Sequence, residues 1–127
     1  MYLLDTHTLL WYIKGSPKLS AHALDILENK QHTILVSKVS LWEIVVKLNI
    51  KKLTLPVSFE RFVTDIESLD IQLLPISTQH LSQYLLLPLH HRDPFDRMLI
   101  AQSIHENIYL MGKDEVFDQY QGLKRVW

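Results

Sequence analysis

Apolar residues along this chain fall into short unbroken runs that alternate with longer stretches where they recur every three or four positions. The first pattern is that of strands buried on both faces, the second that of helices with one face on a core. Tyr2–Leu4 reads as a strand ending at Asp5, followed by a helix over residues 7–13 and a break at Gly15-Ser16-Pro17. Ser20 can cap a second helix reaching residue 29. Residues 33–37 (Thr-Ile-Leu-Val-Ser) read as a buried strand, and residues 39–48 as a helix leading to the basic pair Lys51-Lys52. Phe59, Phe62, Val63 and Ile66 mark one face of a helix over 56–69. Then come a strand over 71–76, helices over 77–86 and 94–106, a strand over 108–111, and a last one at 125–127.

Strand–helix alternation of this kind predicts an α/β fold. The expected architecture is a three-layer α/β/α sandwich, with a central parallel sheet of four to five strands in one domain over residues 1–127. In such sheets ligands bind beyond the carboxyl ends of the strands, so chemistry is sought there.

Composition narrows the classes of function. The 127 residues suit one domain, which buries roughly 65–70% of the surface its unfolded chain exposes. With 47% hydrophobic and 21% charged residues the chain is neither disordered nor fibrous. The absence of cysteine excludes disulfides, thiolate metal sites and cysteine nucleophiles, and fits a reducing cytoplasm. No apolar run approaches the roughly 20 residues of a membrane span, and the N-terminus lacks the pattern of a signal peptide. A net charge of −1 gives no broad basic surface. Attraction to a polyanion such as RNA must then come from a local basic rim or from bound metal.

Acidic residues at strand ends carry the candidate chemistry. Asp5 directly follows the first strand, where it can be a helix cap or a site acid. Glu43 lies one turn into a helix, and Ser40-x-x-Glu43 also matches a capping box. In Asp93-Pro94-Phe95-Asp96-Arg97, Asp93 reads as the N-cap before a proline at the first helical position. One cap is enough, which leaves Asp96 in the first turn as the functional candidate. Asp114 follows the 108–111 strand beside Gly112, as a turn acid or as part of a site. Carboxylates about 5 Å apart repel by on the order of 3 kcal/mol per pair at an effective dielectric of roughly 20. Divalent cations relieve that repulsion, and all-oxygen ligands favour Mg²⁺ or Mn²⁺ over zinc.

These residues resemble the PIN-domain ribonucleases, specifically the VapC-type toxins of bacterial type II toxin–antitoxin pairs. The resemblance runs through Leu3-Leu4-Asp5-Thr6-His7, Ser37-x-x-Ser40-x-Trp42-Glu43-Ile44 and Leu87-Pro88-x-x-His91-x-Asp93-Pro94-Phe95-Asp96-Arg97-x-Leu99-Ile100-Ala101-Gln102. It ends on Asp114-Glu115-x-Phe117-x-x-Tyr120 and Trp127. It implies a metal-dependent endoribonuclease in which Asp5, Glu43, Asp96 and Asp114 hold one or two Mg²⁺ or Mn²⁺ ions. It also implies Thr6 and Arg97 beside the site, a cognate antitoxin that blocks the acidic groove, and a homodimer joined through apolar faces of the early helices. The chain departs from the usual pattern at Gly112, where many relatives carry Thr or Ser.

The expected reaction is metal-assisted hydrolysis of a phosphodiester. Arg97, Lys38, Lys47, Lys51, Lys52 and Lys113 are candidate phosphate contacts, each with solvated surface charge as its plainer reading. The adjacent pair His90-His91 lacks the i,i+4 spacing of a helical zinc pair, so the seven histidines read as packing or capping residues. Trp11, Trp42 and Trp127 can stack bases, although Trp42 beside Ile44 and Val45 reads rather as core or interface. Rival readings are a receiver- or phosphatase-like phosphotransfer domain, a catalytically silent binding module of the same fold, and a nuclease acting on DNA. The phosphatase lacks its second acid, because His7 stands there.

Overall fold

A computed structural model describes residues 1–127. Strands β1 (Tyr2–Leu4), β2 (Ile34–Ser37), β3 (Gln72–Leu74), β4 (Tyr109–Met111) and β5 (Lys124–Val126) form one sheet in the order β3-β2-β1-β4-β5. Every pairing is parallel, with Leu3 opposite Leu35 on one side and Leu110 on the other. The helices are α1 (Thr6–Lys14), α2 (Ala21–Glu28), α3 (Lys38–Asn49), α4 (Phe59–Ser68), α5 (Thr78–Leu85) and α6 (Pro94–Glu106). A 3-10 turn over Glu115–Gln119 joins β4 to β5. The α/β fold expected from the alternation is the fold observed, and five strands build its sheet.

Period-two alternation in the strands divides the core into two halves. Leu4, Val36 and Met111 face one way and pack with Leu9, Ala23, Ile26, Ile44, Phe62 and Ile66 of α1 to α4. Leu3, Leu35 and Leu110 face the other way, against Leu99 and Ile100 of α6 and Phe117 of the 3-10 turn. Leu3, Leu4 and Leu110 are fully buried. Leu9, Ile44, Ile66, Leu99, Ile100 and Phe117 are fully buried as well, so at roughly 1.5–3 kcal/mol for each such side chain the strands and the facing helices hold the sandwich together.

Element ends differ from expectation where caps intervene. α4 begins at Phe59 and not near residue 56, because Ser58 accepts from the Arg61 amide and fixes the start. α3 begins at Lys38, capped by Ser37 through the Val39 amide. The capping box expected of Ser40 and Glu43 therefore does not form, because the preceding serine already meets the free amide. β3 stops at Leu74, before Pro75, which has no N–H to continue a ladder.

The order of connection matters most for function. From β1 the chain steps outward to β2 and β3, then returns to place β4 on the opposite side of β1. β1 and β4 thus flank the point where the sheet reverses its direction of growth, the place where parallel sheets open a crevice. Elsewhere, Val39, Trp42, Tyr84, Leu85, Phe95 and Met98 line an apolar groove of about 520 Å³ between α3, α5 and α6. Trp42, Leu85, Leu86 and Leu89 are well exposed there or close by in sequence. The apolar faces of α1 and α2, expected to supply a dimer surface, are instead packed into the core through Leu9, Ala23, Ile26 and Leu27.

Candidate metal centre

At the end of β1 the chain turns directly into α1, and Asp5 caps the helix. Its Oδ1 accepts from the Thr8 amide at 2.8 Å, and its own amide donates to the Met111 carbonyl of β4 at 3.0 Å. The residue is 5% exposed. One oxygen caps, as one of the two readings expects, and the carboxylate also lines a cleft between β1 and β4. Gly112 makes room for it. A Cβ built on Gly112 would stand 2.5 Å from Asp5 Oδ2 and 2.7 Å from Phe117 Cε2. The hydroxyl-bearing side chain that the resemblance leads one to expect has no room here, because the Asp5 carboxylate and the Phe117 ring take the space.

Asp114 shows the same division. Its Oδ1 caps the 3-10 turn through the Val116 amide at 3.0 Å, and its Oδ2 points to His91 Nε2 at 3.3 Å. On α6, Asp93 Oδ1 accepts from the Phe95 amide at 2.8 Å and the Asp96 amide at 3.4 Å, the cap expected before Pro94. Asp96, released from capping, lies 3.0 Å from His91 Nε2 through Oδ2. Asp5, Asp93, Asp96, Asp114, His7, Trp11, His91 and Lys113 line one cleft of about 450 Å³.

Glu43 lies behind that cleft and does not line it. It is 3% exposed, accepts the Thr6 hydroxyl at 2.6 Å on Oε1 and binds Lys47 Nζ at 2.7 Å through Oε2. Thr6 and Lys47, expected as substrate contacts, are here the supports of Glu43. Arg97 also departs from expectation. Its guanidinium donates to the carbonyls of Pro88 and His91 and to the hydroxyls of Tyr84 and Tyr120, and the residue is 8% exposed. A phosphate contact is thereby replaced by a buried clamp on the loop before α6, because carbonyls converge on it. Of the basic residues considered as phosphate contacts, Lys113 is the one that lines the cleft.

The electrostatics follow from crowding. Asp96 is pushed up to about 8, first by burial and then by the negative charges of Asp93, Asp5, Glu43 and Asp114. Burial pushes Asp5 up as well, opposed by its hydrogen bonds from Thr8 and by His7, and reinforced by Glu43. Acids from three other segments are thus near enough to disfavour charge on Asp96, an arrangement a divalent cation would stabilise. The donor set fits such an ion. Carboxylate oxygens predominate, and atoms of His91, Asp96 and Asp114 lie within 4.8 Å of one another.

His91, expected to be a packing or capping residue, lines the cleft beside Asp96 and Asp114. The available signal was its place two residues before a capping aspartate, in the same block as Asp96. Trp42, expected in the core or at an interface, is 60% exposed and meets Phe95 edge-on at 5.0 Å.

Comparison with known proteins agrees with this geometry. The PIN domain family model matches residues 2–123. Among solved structures, VapBC2 from Rickettsia felis bound to a DNA fragment from their promoter superposes with a TM-score of 0.71 at 19% identity, covering 98% of this chain and 96% of that one. DNA-bound VapBC from Salmonella typhimurium gives 0.72 at 17% identity, covering 98% and 96%. FitAcB from Neisseria gonorrhoeae gives 0.64 at 14% identity, covering 100% and 97%. No curated protein sequence matches the chain. The superpositions establish a shared fold, the family model spans nearly every element that builds the cleft, and the chain belongs to the PIN domain family.

Proposed function

We propose that this chain is a metal-dependent endoribonuclease, the toxin of a type II toxin–antitoxin pair. The observation that carries the reading is the convergence of Asp5, Asp96 and Asp114 on one cleft at the switch point of a PIN-family sheet, with Glu43 close behind. Asp5, Asp96 and Asp114 would hold Mg²⁺ or Mn²⁺, and Glu43, fixed by Thr6 and Lys47, adds charge from below. Such an ion, when bound, supplies Lewis-acid polarisation of the phosphate and lowers the pKa of water. Asp114 is the most exposed of the acids, at 44% for its side chain. A carboxylate not fully committed to metal would take the proton of the attacking water. Lys113 would meet a backbone phosphate entering this cleft, while His7 and Trp11, which also line it, offer ring surfaces for stacking.

The test is cleavage of end-labelled RNA, with mapped ends, in Mg²⁺, Mn²⁺ or EDTA. Cleavage that requires metal and falls on the order of 100-fold or more in Asp5→Asn supports the reading. Asn keeps an oxygen for the Thr8 amide, so this variant should melt no lower than the parent. Asp5→Asn cleaving at the parent rate would sink the scheme, and preference for DNA in competition would reassign the substrate.

Several of the similar structures are complexes, among them a toxin–antitoxin complex from Klebsiella pneumoniae. They support the further reading that a cytoplasmic antitoxin closes this cleft with a basic side chain. A second copy of the chain is the proposed occupant of the apolar groove between α3, α5 and α6.

A further inference from the structure

His91 lies in the loop between α5 and α6, and three contacts fix it. Its amide donates to the Tyr120 hydroxyl at 2.7 Å, its carbonyl accepts Arg97 Nη1 at 3.2 Å, and its ring lies against Phe117 at 5.8 Å between centroids. The imidazole is thus pinned from α6 and from the 3-10 turn before it meets any carboxylate.

The ring nitrogens differ in what they face. Nδ1 accepts the Asp93 amide hydrogen at 3.2 Å, so in the neutral ring the proton resides on Nε2. Nε2 is buried, 3.0 Å from Asp96 Oδ2 and 3.3 Å from Asp114 Oδ2. Neither oxygen is aligned for a hydrogen bond of its own, and the nitrogen has no other partner. That leaves a buried ring nitrogen with a carboxylate oxygen on either side and no other polar group to serve.

Direct ligation of a metal by Nε2 would require the opposite tautomer. A ligating histidine gives its second N–H to an acceptor, whereas Nδ1 here faces a backbone N–H. We propose that His91 is a positioning residue, whose Nε2–H stands between Asp96 and Asp114 and holds both carboxylates within reach of one ion. This rests on the metal reading given above and adds a residue to it. Asp114 needs such a partner most. It is the more exposed of the two, and otherwise only its capping bond to the Val116 amide restrains the side chain. The assignment also accounts for Arg97, which holds the loop that carries the ring.

The experiment is Mn²⁺ titration of the full chain by calorimetry, with electron spin echo spectra of the bound ion. His91→Ala should weaken Mn²⁺ binding by roughly tenfold or more. Glutamine can place an amide N–H near the position of Nε2, whereas asparagine reaches only that of Nδ1. His91→Gln should therefore recover most of the affinity and His91→Asn little, with thermal melts confirming that each is folded. Should His91→Ala fail to fold, the Gln and Asn variants still decide the matter between them. The parent spectrum should show no directly coordinated imidazole nitrogen. Unchanged affinity in His91→Ala, equal recovery by Asn and Gln, or a coordinated imidazole would each overturn the assignment while leaving the metal site standing. Failure of the parent to bind Mn²⁺ at all would overturn the metal reading, and this one with it.

Discussion

Asp5 uses its two oxygens in two directions: Oδ1 completes the start of α1, and Oδ2 occupies the space beside Gly112. That space is the reason for glycine there. Gly112 has no positive φ, so its conformation does not require glycine, but the Asp5 carboxylate and the Phe117 ring do. Gly112→Ala is expected to cost about 1–3 kcal/mol by overpacking and to weaken Mn²⁺ binding about tenfold by displacing Asp5. Thermal melts and metal titration check both, and a variant with native melting and native affinity would refute the packing argument. Asp96 gives a pH prediction. Its folded-state value of about 8 lies above the ordinary 3.8, so the native state binds the proton more tightly than the unfolded chain. Its contribution is full below about pH 4 and is lost as the pH rises through about 8. Metal-free protein should therefore melt several degrees lower at pH 8.5 than at pH 5. Asp96→Asn should flatten that slope, and a parent that melts higher at pH 8.5 would contradict it.

Helix α6 shows how one element divides labour between neighbours. Asp93 caps it, Pro94 sets its first turn, Asp96 is left free for the cleft, and Arg97 turns inward to hold the preceding loop. The two aspartates oppose each other electrostatically, since Asp93 is the largest charge acting to raise Asp96. Capping and charge can be separated experimentally. Asp93→Ala should lose about 0.5–2 kcal/mol of stability, whereas Asp93→Asn, a good cap without charge, should stay near the parent. Chemical denaturation measures the difference, and equal losses in the two variants would remove capping as the role of Asp93. Much of this was legible beforehand, because Asp-Pro at a helix start is a local arrangement of side-chain oxygen and amide. The fate of Arg97 was not. Nothing near it in sequence shows that the Pro88 and His91 carbonyls and the Tyr120 hydroxyl converge on its guanidinium.

For the whole molecule, the order β3-β2-β1-β4-β5 sets β1 beside β4 and so brings Asp5 and Asp114, far apart along the chain, to one cleft. The same packing leaves Trp42, Leu81 and Leu85 exposed in a groove that the sheet does not cover. Exposed apolar patches commonly mark interaction surfaces, and the occupant proposed for this one is a second copy of the chain. Light scattering should find a dimer at micromolar concentration, and Leu85→Glu should shift it to monomer without lowering the melting temperature of the fold. A parent that is monomeric throughout that range would refute the assignment of a second copy to the groove.

Hydrophobic periodicity and cap chemistry act between residues a few positions apart, so the strands, the helices, the α/β class and the capping role of Asp93 were legible in the residue order alone. That order also marked Asp5, Asp96 and Asp114 as acids at element ends. Tertiary structure decided the relations between them. It put Glu43 behind the cleft on Thr6 and Lys47, buried Arg97, and set the His91 ring against Asp96 and Asp114. Those distances depend on which strands lie side by side and which loop meets which helix. Long-range packing chooses those neighbours, and no local pattern encodes them.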